Sequence, residues 1–124
     1  MKIISVREPW ASAIADGSKL VENRSAGFQK SYRGLLGIHA SKELSTRGTL
    51  DPRIRRLYPD GYPLELHLGA VIAVVELVDV HPAAGCCAPW GEELYVDSKG
   101  ALRTEVTHLV LEGPQRLAAP FTAR

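Results

Sequence analysis

The chain has 124 residues, of which 45% are hydrophobic and 23% charged, and this predicts a single domain of ordinary soluble composition. Its longest apolar run, residues 70–75, is too short to span a bilayer, and no secretory signal is recognisable. We therefore expect a cytoplasmic protein with no membrane partner. The two cysteines, Cys86 and Cys87, are adjacent and cannot join distant segments, which excludes a disulfide scaffold. Residues 1–57 carry 11 Lys or Arg against 5 Asp or Glu, an asymmetry that indicates an anionic partner.

The first part of the chain predicts a strand, a helix and two further strands. Alternation over residues 3–7 is typical of a short strand. A helix should follow with Pro9 at its first position, where the missing N–H of proline would be unpaired anyway. Trp10, Ala13 and Ile14 share one face of that helix, and Gly17 is expected to end it. Residues 20–24 and 35–40 predict the next two strands.

The rest of the chain predicts one more helix and two more strands. Asp51 and Pro52 have the residue types of a helix cap and a first helical position, and residues 59–61 predict a turn. The strongest strand signal covers residues 69–80, which begin β-branched and apolar on both faces. Residues 82–89 predict a loop, and residues 107–112 predict a strand that ends at Gly113 and Pro114. Many short strands with one early helix favour a small barrel or an α+β domain.

Several short motifs follow one another in a fixed order along the chain. They are Ile4-Ser5-Val6-Arg7-Glu8-Pro9-Trp10-Ala11-Ser12, Gly17-Ser18-Lys19, Val21-Glu22-Asn23-Arg24-Ser25, Tyr32-Arg33-Gly34 and Ile38-His39-Ala40-Ser41. Together with residues 69–77 and 109–111, they make nearly the whole chain resemble an ASCH domain.

The resemblance implies an α+β fold, with a small PUA-like β-barrel, one N-terminal helix and short helices at the barrel openings, formed by residues 1–124 as one domain. Members of this family are held to bind RNA or other nucleic acid in a cleft beside the first helix, and some are reported to hydrolyse acetylated cytidine or RNA. They usually continue into a strand that closes the barrel. This chain stops at Arg124, so we expect the closing strand to be missing and an open sheet edge to be available for a homodimer.

Lys19, Glu22 and Arg24 are the first candidates for a site. A lysine just past the helix can neutralise a phosphate or, if desolvated, act as a base, although it can also simply complement the helix dipole. Glu22 and Arg24 share one face of the predicted strand, and Asn23 lies on the other. Such a pair can read a base edge and hold a phosphate, or it can be an ordinary ion pair.

Further candidates come from neighbouring elements. Trp10 can belong to the core or stack on a base. His39, Ser41 and Lys42 end a predicted strand and can line the same cleft. Glu76 interrupts an apolar strand, so it is expected either to pair with a cation or to act as an acid/base group.

These observations lead to one preferred function and two alternatives. We expect an RNA- or modified-nucleotide-binding domain, with a basic cleft beside the first helix, that takes RNA, another single-stranded nucleic acid or a modified nucleoside. Its binding residues would be Trp10, Lys19, Glu22, Asn23, Arg24, Ser25, His39, Ser41 and Lys42. The first alternative is a small hydrolase of the ribonuclease or amidohydrolase type, with catalytic residues Lys19, Glu22 and Glu76. The second alternative is a protein-interaction module.

One departure and one weak signal qualify this hypothesis. The relatives that hydrolyse acetylcytidine carry a threonine three residues after the helix-end lysine, where this chain has Glu22, and this counts against that activity. His81, Cys86, Cys87 and His108 offer soft metal ligands. Adjacent cysteines, however, depart from the gap of about two to four residues that is usual for zinc. The sequence therefore predicts no metal and no cofactor.

Overall fold

A computed structural model describes residues 1–25, 31–61, 66–97 and 99–122. The elements in chain order are β1 (Lys2–Glu8), α1 (Trp10–Ala15), β2 (Val21–Ser25), β3 (Gly34–Leu44), α2 (Thr46–Leu50), α3 (Pro52–Leu57), β4 (Ala70–Pro82), β5 (Tyr95–Val96), β6 (Leu102–Arg103) and β7 (Val106–Thr122). Strands predominate and the described helices are short, which confirms the predicted α+β class. None of these helices has the length and apolar character needed to cross a membrane.

Five of the strands form one curled sheet. Their order is β1-β3-β4-β7-β2, with β1 parallel to β3 and the other pairs antiparallel. The sheet curls far enough for its two edge strands to meet. The contact is visible in a hydrogen bond, in which Arg24 Nη2 on β2 donates to the Ser5 carbonyl on β1 at 2.6 Å. The result is a half-barrel whose seam lies between β1 and β2. Strands β5 and β6 form a separate two-stranded sheet.

The core lies inside the curl. β4 is central and alternates buried residues with more exposed ones after an apolar start, as its sequence predicts. Leu36, Ile72 and Leu111 come from three neighbouring strands and are essentially inaccessible to solvent. Ile14 of α1 packs against them, so the first helix covers one opening of the half-barrel. Burial of each such side chain contributes about 1.5–3 kcal/mol.

A buried carboxylate fixes the start of α1. Glu8 is 1% exposed, and its two oxygens accept from the backbone N–H and the hydroxyl of Ser12, both at 2.7 Å. The helix begins after Pro9 and not at it, one residue later than predicted. Gly17 follows the helix with φ of +85°, which confirms the predicted stop.

Among the later elements, one prediction was wrong, one helix was missed and one prediction was confirmed. β7 does not end at Gly113 and Pro114 but runs on to Thr122. The β4–β7 register shifts where those residues pass, so neither has a Cα partner and the missing proline N–H is tolerated. Helix α2 was not predicted, because Thr46–Leu50 lacks apolar periodicity. For α3, Asp51 does cap the helix, accepting from the Arg53 N–H at 2.8 Å.

Candidate functional site

A cleft of about 940 Å³ lies beside the seam. Residues of β1, α1, β2 and β3 line it, together with a second group from helix α2, the start of α3 and the segment from Trp90 to Asp97, which we call the far wall. The lining side chains include Ser5, Arg7, Trp10, Lys19, Glu22, Asn23, Arg24, Ser41, Glu43, Ser45, Arg47, Asp51, Arg53, Trp90, Glu92, Tyr95 and Asp97.

A buried charge network lies at one end of this cleft. Lys19 is 3% exposed, and its Nζ donates to the Val21 carbonyl at 2.6 Å and to Glu22 Oε1 at 3.0 Å. The other Glu22 oxygen lies 3.4 Å from Arg24 Nε. Two cations, one just before β2 and one within it, therefore flank one carboxylate.

This network keeps Glu22 ionised. Burial by itself raises the pKa of a carboxyl group, because the charged form loses hydration. At Glu22 the positive charges of Lys19 and Arg24, together with the Lys19 hydrogen bond, outweigh that effect and lower the pKa below its usual 4.5. At neutral pH the cleft therefore presents a fixed negative acceptor, not a proton donor.

Trp10 stands beside this network. Its indole N–H donates to Ser45 Oγ at 3.2 Å, and its ring meets the Trp90 ring edge-on with centroids 6.3 Å apart. Lys19 Nζ lies 5.7 Å from the Trp10 ring centroid. Gly48 permits the close packing, since a Cβ there would lie 2.9 Å from Trp10 Cε2. Trp10 is half-buried and lines the cleft, so it serves both the packing and the surface that a ligand would meet.

Asn23 positions the part of the far wall that carries Trp90 and Glu92. Its amide donates to the Trp90 carbonyl at 3.0 Å and accepts from the Glu92 N–H at 2.9 Å. The Trp90 indole N–H in turn donates to the Ser18 carbonyl at 2.8 Å. Both polar ends of the Asn23 side chain are thus engaged in holding the segment that carries Trp90.

The charges around the cleft are balanced. Its lining holds five basic side chains, Arg7, Lys19, Arg24, Arg47 and Arg53, and five acidic ones, Glu22, Glu43, Asp51, Glu92 and Asp97. Arg7 is paired with Glu43, and Arg53 lies 2.8 Å from Asp51 and 2.9 Å from Glu92. Arg47 is exposed and has no acidic partner among the described residues. The lining that was expected to be basic is therefore mixed in charge.

Six of the predicted residues meet in this cleft, namely Trp10, Lys19, Glu22, Asn23, Arg24 and Ser41. The four others lie elsewhere. His39 bonds through Nδ1 to Ser5 Oγ at 2.9 Å, so it lies next to the lining without joining it. Ser25 ends β2 opposite Val106. Lys42 extends past Gly69, where an added Cβ would lie 3.1 Å from Lys42 Cε.

Glu76 does not line the cleft. It is exposed on β4, opposite Leu35 on one side and Glu112 on the other. The cations suggested as its partners, Lys19 and Arg24, both contact Glu22 instead.

Sequence reasoning missed the far wall of the cleft. Ser45 caps α2 by accepting from the Gly48 N–H at 3.0 Å, and Arg47 follows it onto the rim. Serine is a preferred N-cap residue, and this signal was available in the sequence. Trp90 lies in a segment without periodicity, and nothing in the sequence links it to Asn23, which is distant along the chain.

Comparison with known proteins identifies the fold. Residues 4–111 match the family model of the ASCH domain. The solved structure of ASCH from Zymomonas mobilis superposes with a TM-score of 0.57 at 18% identity, covering 97% of this chain and 71% of that one. A tyrosine-to-phenylalanine variant of the Zymomonas mobilis protein gives a TM-score of 0.56 at 17% identity, over 97% and 73% of the two chains. No curated protein sequence matches the chain. Because the family model spans well over half of the sequence, the protein belongs to the ASCH domain family.

Proposed function

We propose that the cleft binds one nucleotide of a single-stranded RNA, or the equivalent free modified nucleoside, with the base against Trp10. Nucleic-acid binding is general in the ASCH family, and the cleft has the chemistry that a base requires. The observation that carries the proposal is the position of a half-buried indole beside a buried, ionised carboxylate, linked through Lys19.

A base has an apolar face and a polar edge, and the cleft complements both. Stacking on an aromatic side chain contributes about 1–3 kcal/mol per base. The Glu22 carboxylate accepts hydrogen bonds only, so it suits the exocyclic amino group of a base. Arg24 is 30% exposed and offers a donor next to that acceptor. A donor and an acceptor side by side match a base edge better than they match a bare phosphate.

Phosphates would be held at the rim. Arg7 is partly exposed and Arg47 is exposed, both line the cleft, and Ser41 adds a hydroxyl. Since the lining as a whole is balanced in charge, few phosphates are neutralised. One or two contacts predict that the logarithm of the binding constant falls by about 0.7–1.4 per log unit of salt.

The hydrolase alternative has weaker support in this geometry. Glu22 is held ionised and cannot supply a proton at neutral pH, while Lys19 is committed to Val21 and Glu22. Glu76, the third residue suggested for catalysis, is exposed outside the cleft lining. We therefore propose binding without turnover, so no RNA fragments and no free acetate should form when the protein is incubated with its ligands.

The test is fluorescence anisotropy with a short, labelled, mixed-sequence single-stranded RNA at several salt concentrations. Cytidine and acetylated cytidine are titrated separately against tryptophan fluorescence. Glu22→Gln keeps the side-chain shape and removes the charge, so it should weaken binding about tenfold, since one good base contact is worth about 1–3 kcal/mol. Arg47→Ala should weaken RNA binding and flatten its salt dependence. Arg56→Ala, another exposed helix arginine outside the cleft lining, is the matched control and should change neither.

The possible outcomes separate the three hypotheses. Equal RNA affinity in Arg47→Ala, Glu22→Gln and Arg56→Ala would place binding elsewhere on the molecule and refute the proposal. RNA fragments or free acetate in the same tubes would favour the hydrolase. No binding of any probe, with a dimer by light scattering, would favour a protein-interaction module that pairs through an edge strand.

A further inference from the structure

Four side chains that can bind a metal ion converge outside the network of Lys19, Glu22 and Arg24. His81 lies near the end of β4, Cys86 and Cys87 lie in the loop that follows, and His108 lies on β7. His81 and His108 are direct cross-strand partners in the β4–β7 ladder. One ligand atom from each of the four residues can be chosen so that all four lie within 4.8 Å of one another.

The distances fit a tetrahedral metal ion. Zinc binds sulfur at about 2.3 Å and imidazole nitrogen at about 2.0–2.1 Å, so tetrahedral angles place sulfur and nitrogen about 3.5 Å apart. Cys86 Sγ lies 3.3 Å from His81 Nε2 and 3.6 Å from His108 Nδ1. Cys87 Sγ lies 3.4 Å from the same His81 nitrogen. Little movement is needed for one ion to contact all four residues.

Both histidines are oriented by partners behind them. His108 is fully buried, and its Nε2 lies 2.8 Å from the Glu92 carbonyl, which can only accept. The proton of the neutral ring is therefore on Nε2, and the Nδ1 lone pair faces the thiols. His81 Nδ1 lies 2.8 Å from Asp79 Oδ2, so in the neutral ring its Nε2 lone pair faces the thiols as well. Histidine ligands of metals usually have such a carbonyl or carboxylate behind them.

The adjacent cysteines are not an obstacle in the folded chain. Cys87 adopts φ of 67°, in the left-handed region, and the two sulfur atoms come within 4.8 Å of each other. Gly91 leaves the space that this turn needs, because a Cβ there would lie 2.7 Å from Cys87 Cβ and 2.8 Å from His108 Cε1. The turn at Cys87 and the β4–β7 ladder therefore bring the four ligand atoms together, although the two cysteines are adjacent in the sequence.

We propose that His81, Cys86, Cys87 and His108 bind one Zn²⁺ in a closed structural site. Two thiolates and two imidazoles form a set that zinc prefers, and four protein ligands fill its tetrahedral shell. With no position left for a substrate, the ion has a structural role. It joins β4 and β7 to the loop that continues into Trp90 and Glu92, and so it stabilises the far wall of the cleft.

The test measures metal content and metal spectroscopy on the intact chain under reducing conditions. Protein purified in the presence of zinc should contain one zinc ion per chain, as measured by inductively coupled plasma mass spectrometry. After removal by a chelator, one equivalent of Co²⁺ should restore a tetrahedral absorption spectrum with thiolate charge-transfer bands. Cys86→Ser and His81→Gln should lose both signals. His67→Gln, a histidine outside the cluster, should keep them.

A second measurement uses the unaltered protein, so it does not depend on whether a variant folds. In the unaltered protein, alkylation of Cys86 and Cys87 should be slow with zinc bound and fast after chelation, and zinc should raise the Tm of the chelated protein. Absence of zinc together with a cobalt spectrum that lacks thiolate bands would overturn the proposal. Alkylation at the same rate with and without the chelator would overturn it too.

Discussion

Replacing Lys19 by methionine should destabilise the protein by about 3 kcal/mol, because it removes one partner of a buried ion pair. The methionine keeps the apolar stem of the 3%-exposed side chain but gives up the hydrogen bonds to the Val21 carbonyl at 2.6 Å and to Glu22 at 3.0 Å. Such bonds to charged groups contribute about 1.5–3 kcal/mol each. Arg24 stays 3.4 Å from Glu22 and continues to neutralise part of its charge, which keeps the loss near the lower end of the possible range.

The assay is urea unfolding followed by tryptophan fluorescence, with the midpoint compared at constant slope. Glu22→Gln and the double variant complete the cycle, in which the two substitutions should cost less together than their sum by about 1–3 kcal/mol. The pH dependence gives an independent check. Since Glu22 has a folded-state pKa below 4.5, its contribution is present above that value and is lost as the pH falls through the folded-state pKa. The stability difference between the unaltered protein and Glu22→Gln should therefore shrink in acid.

Arg116→Ala provides the matched control. Arg116 lies 2.9 Å from Asp16, but both side chains are more than a third exposed, so breaking this pair should cost less than about 1 kcal/mol. If Lys19→Met were as mild as Arg116→Ala, or if the double variant were strictly additive, the reasoning about the buried network would be refuted.

Three further substitutions test how the cleft is built. Gly48→Ala places a Cβ 2.9 Å from Trp10 Cε2 and should destabilise the protein by about 1–3 kcal/mol, with a changed near-ultraviolet circular dichroism spectrum; an unchanged spectrum and urea midpoint would contradict the packing described. Asn23→Ala removes the bond to the Glu92 N–H at 2.9 Å, so that amide should exchange its hydrogen faster while the core strands stay protected. Ser45→Ala removes the acceptor of the Gly48 N–H at 3.0 Å and should cost about 1 kcal/mol in urea unfolding. No measurable loss would show that α2 does not depend on this cap.

The seam explains why a site forms where it does. A sheet that curls without closing leaves two edge strands with unpaired backbone groups, and such groups need partners. Arg24 supplies one by donating to the Ser5 carbonyl across the seam. The same side chain flanks Glu22, so the residue that joins the two edges also lines the cleft.

The sequence by itself determined the elements whose signals are local. The strand signal at residues 69–80, which begin β-branched and apolar on both faces, predicts a buried strand, and β4 lies at the centre of the sheet. Gly17 and the Asp51–Pro52 pair mark the end of α1 and the start of α3, because a backbone conformation and a cap are set by neighbouring residues. The order of short motifs between Ile4 and Ser41 was sufficient to indicate the family and, with it, six lining residues of the cleft.

Only the tertiary structure decided which distant residues meet. Asn23 holds Trp90 across 67 positions, and His81 faces His108 because of the register of the β4–β7 ladder. The burial of Lys19 was also set by the tertiary structure, which leaves it 3% exposed with its Nζ 3.0 Å from Glu22 Oε1. Local patterns record helix and strand preferences, whereas the curl of the sheet and the shifts in its register depend on all the strands at once. The positions that these global features bring together are therefore the ones that the sequence could not predict.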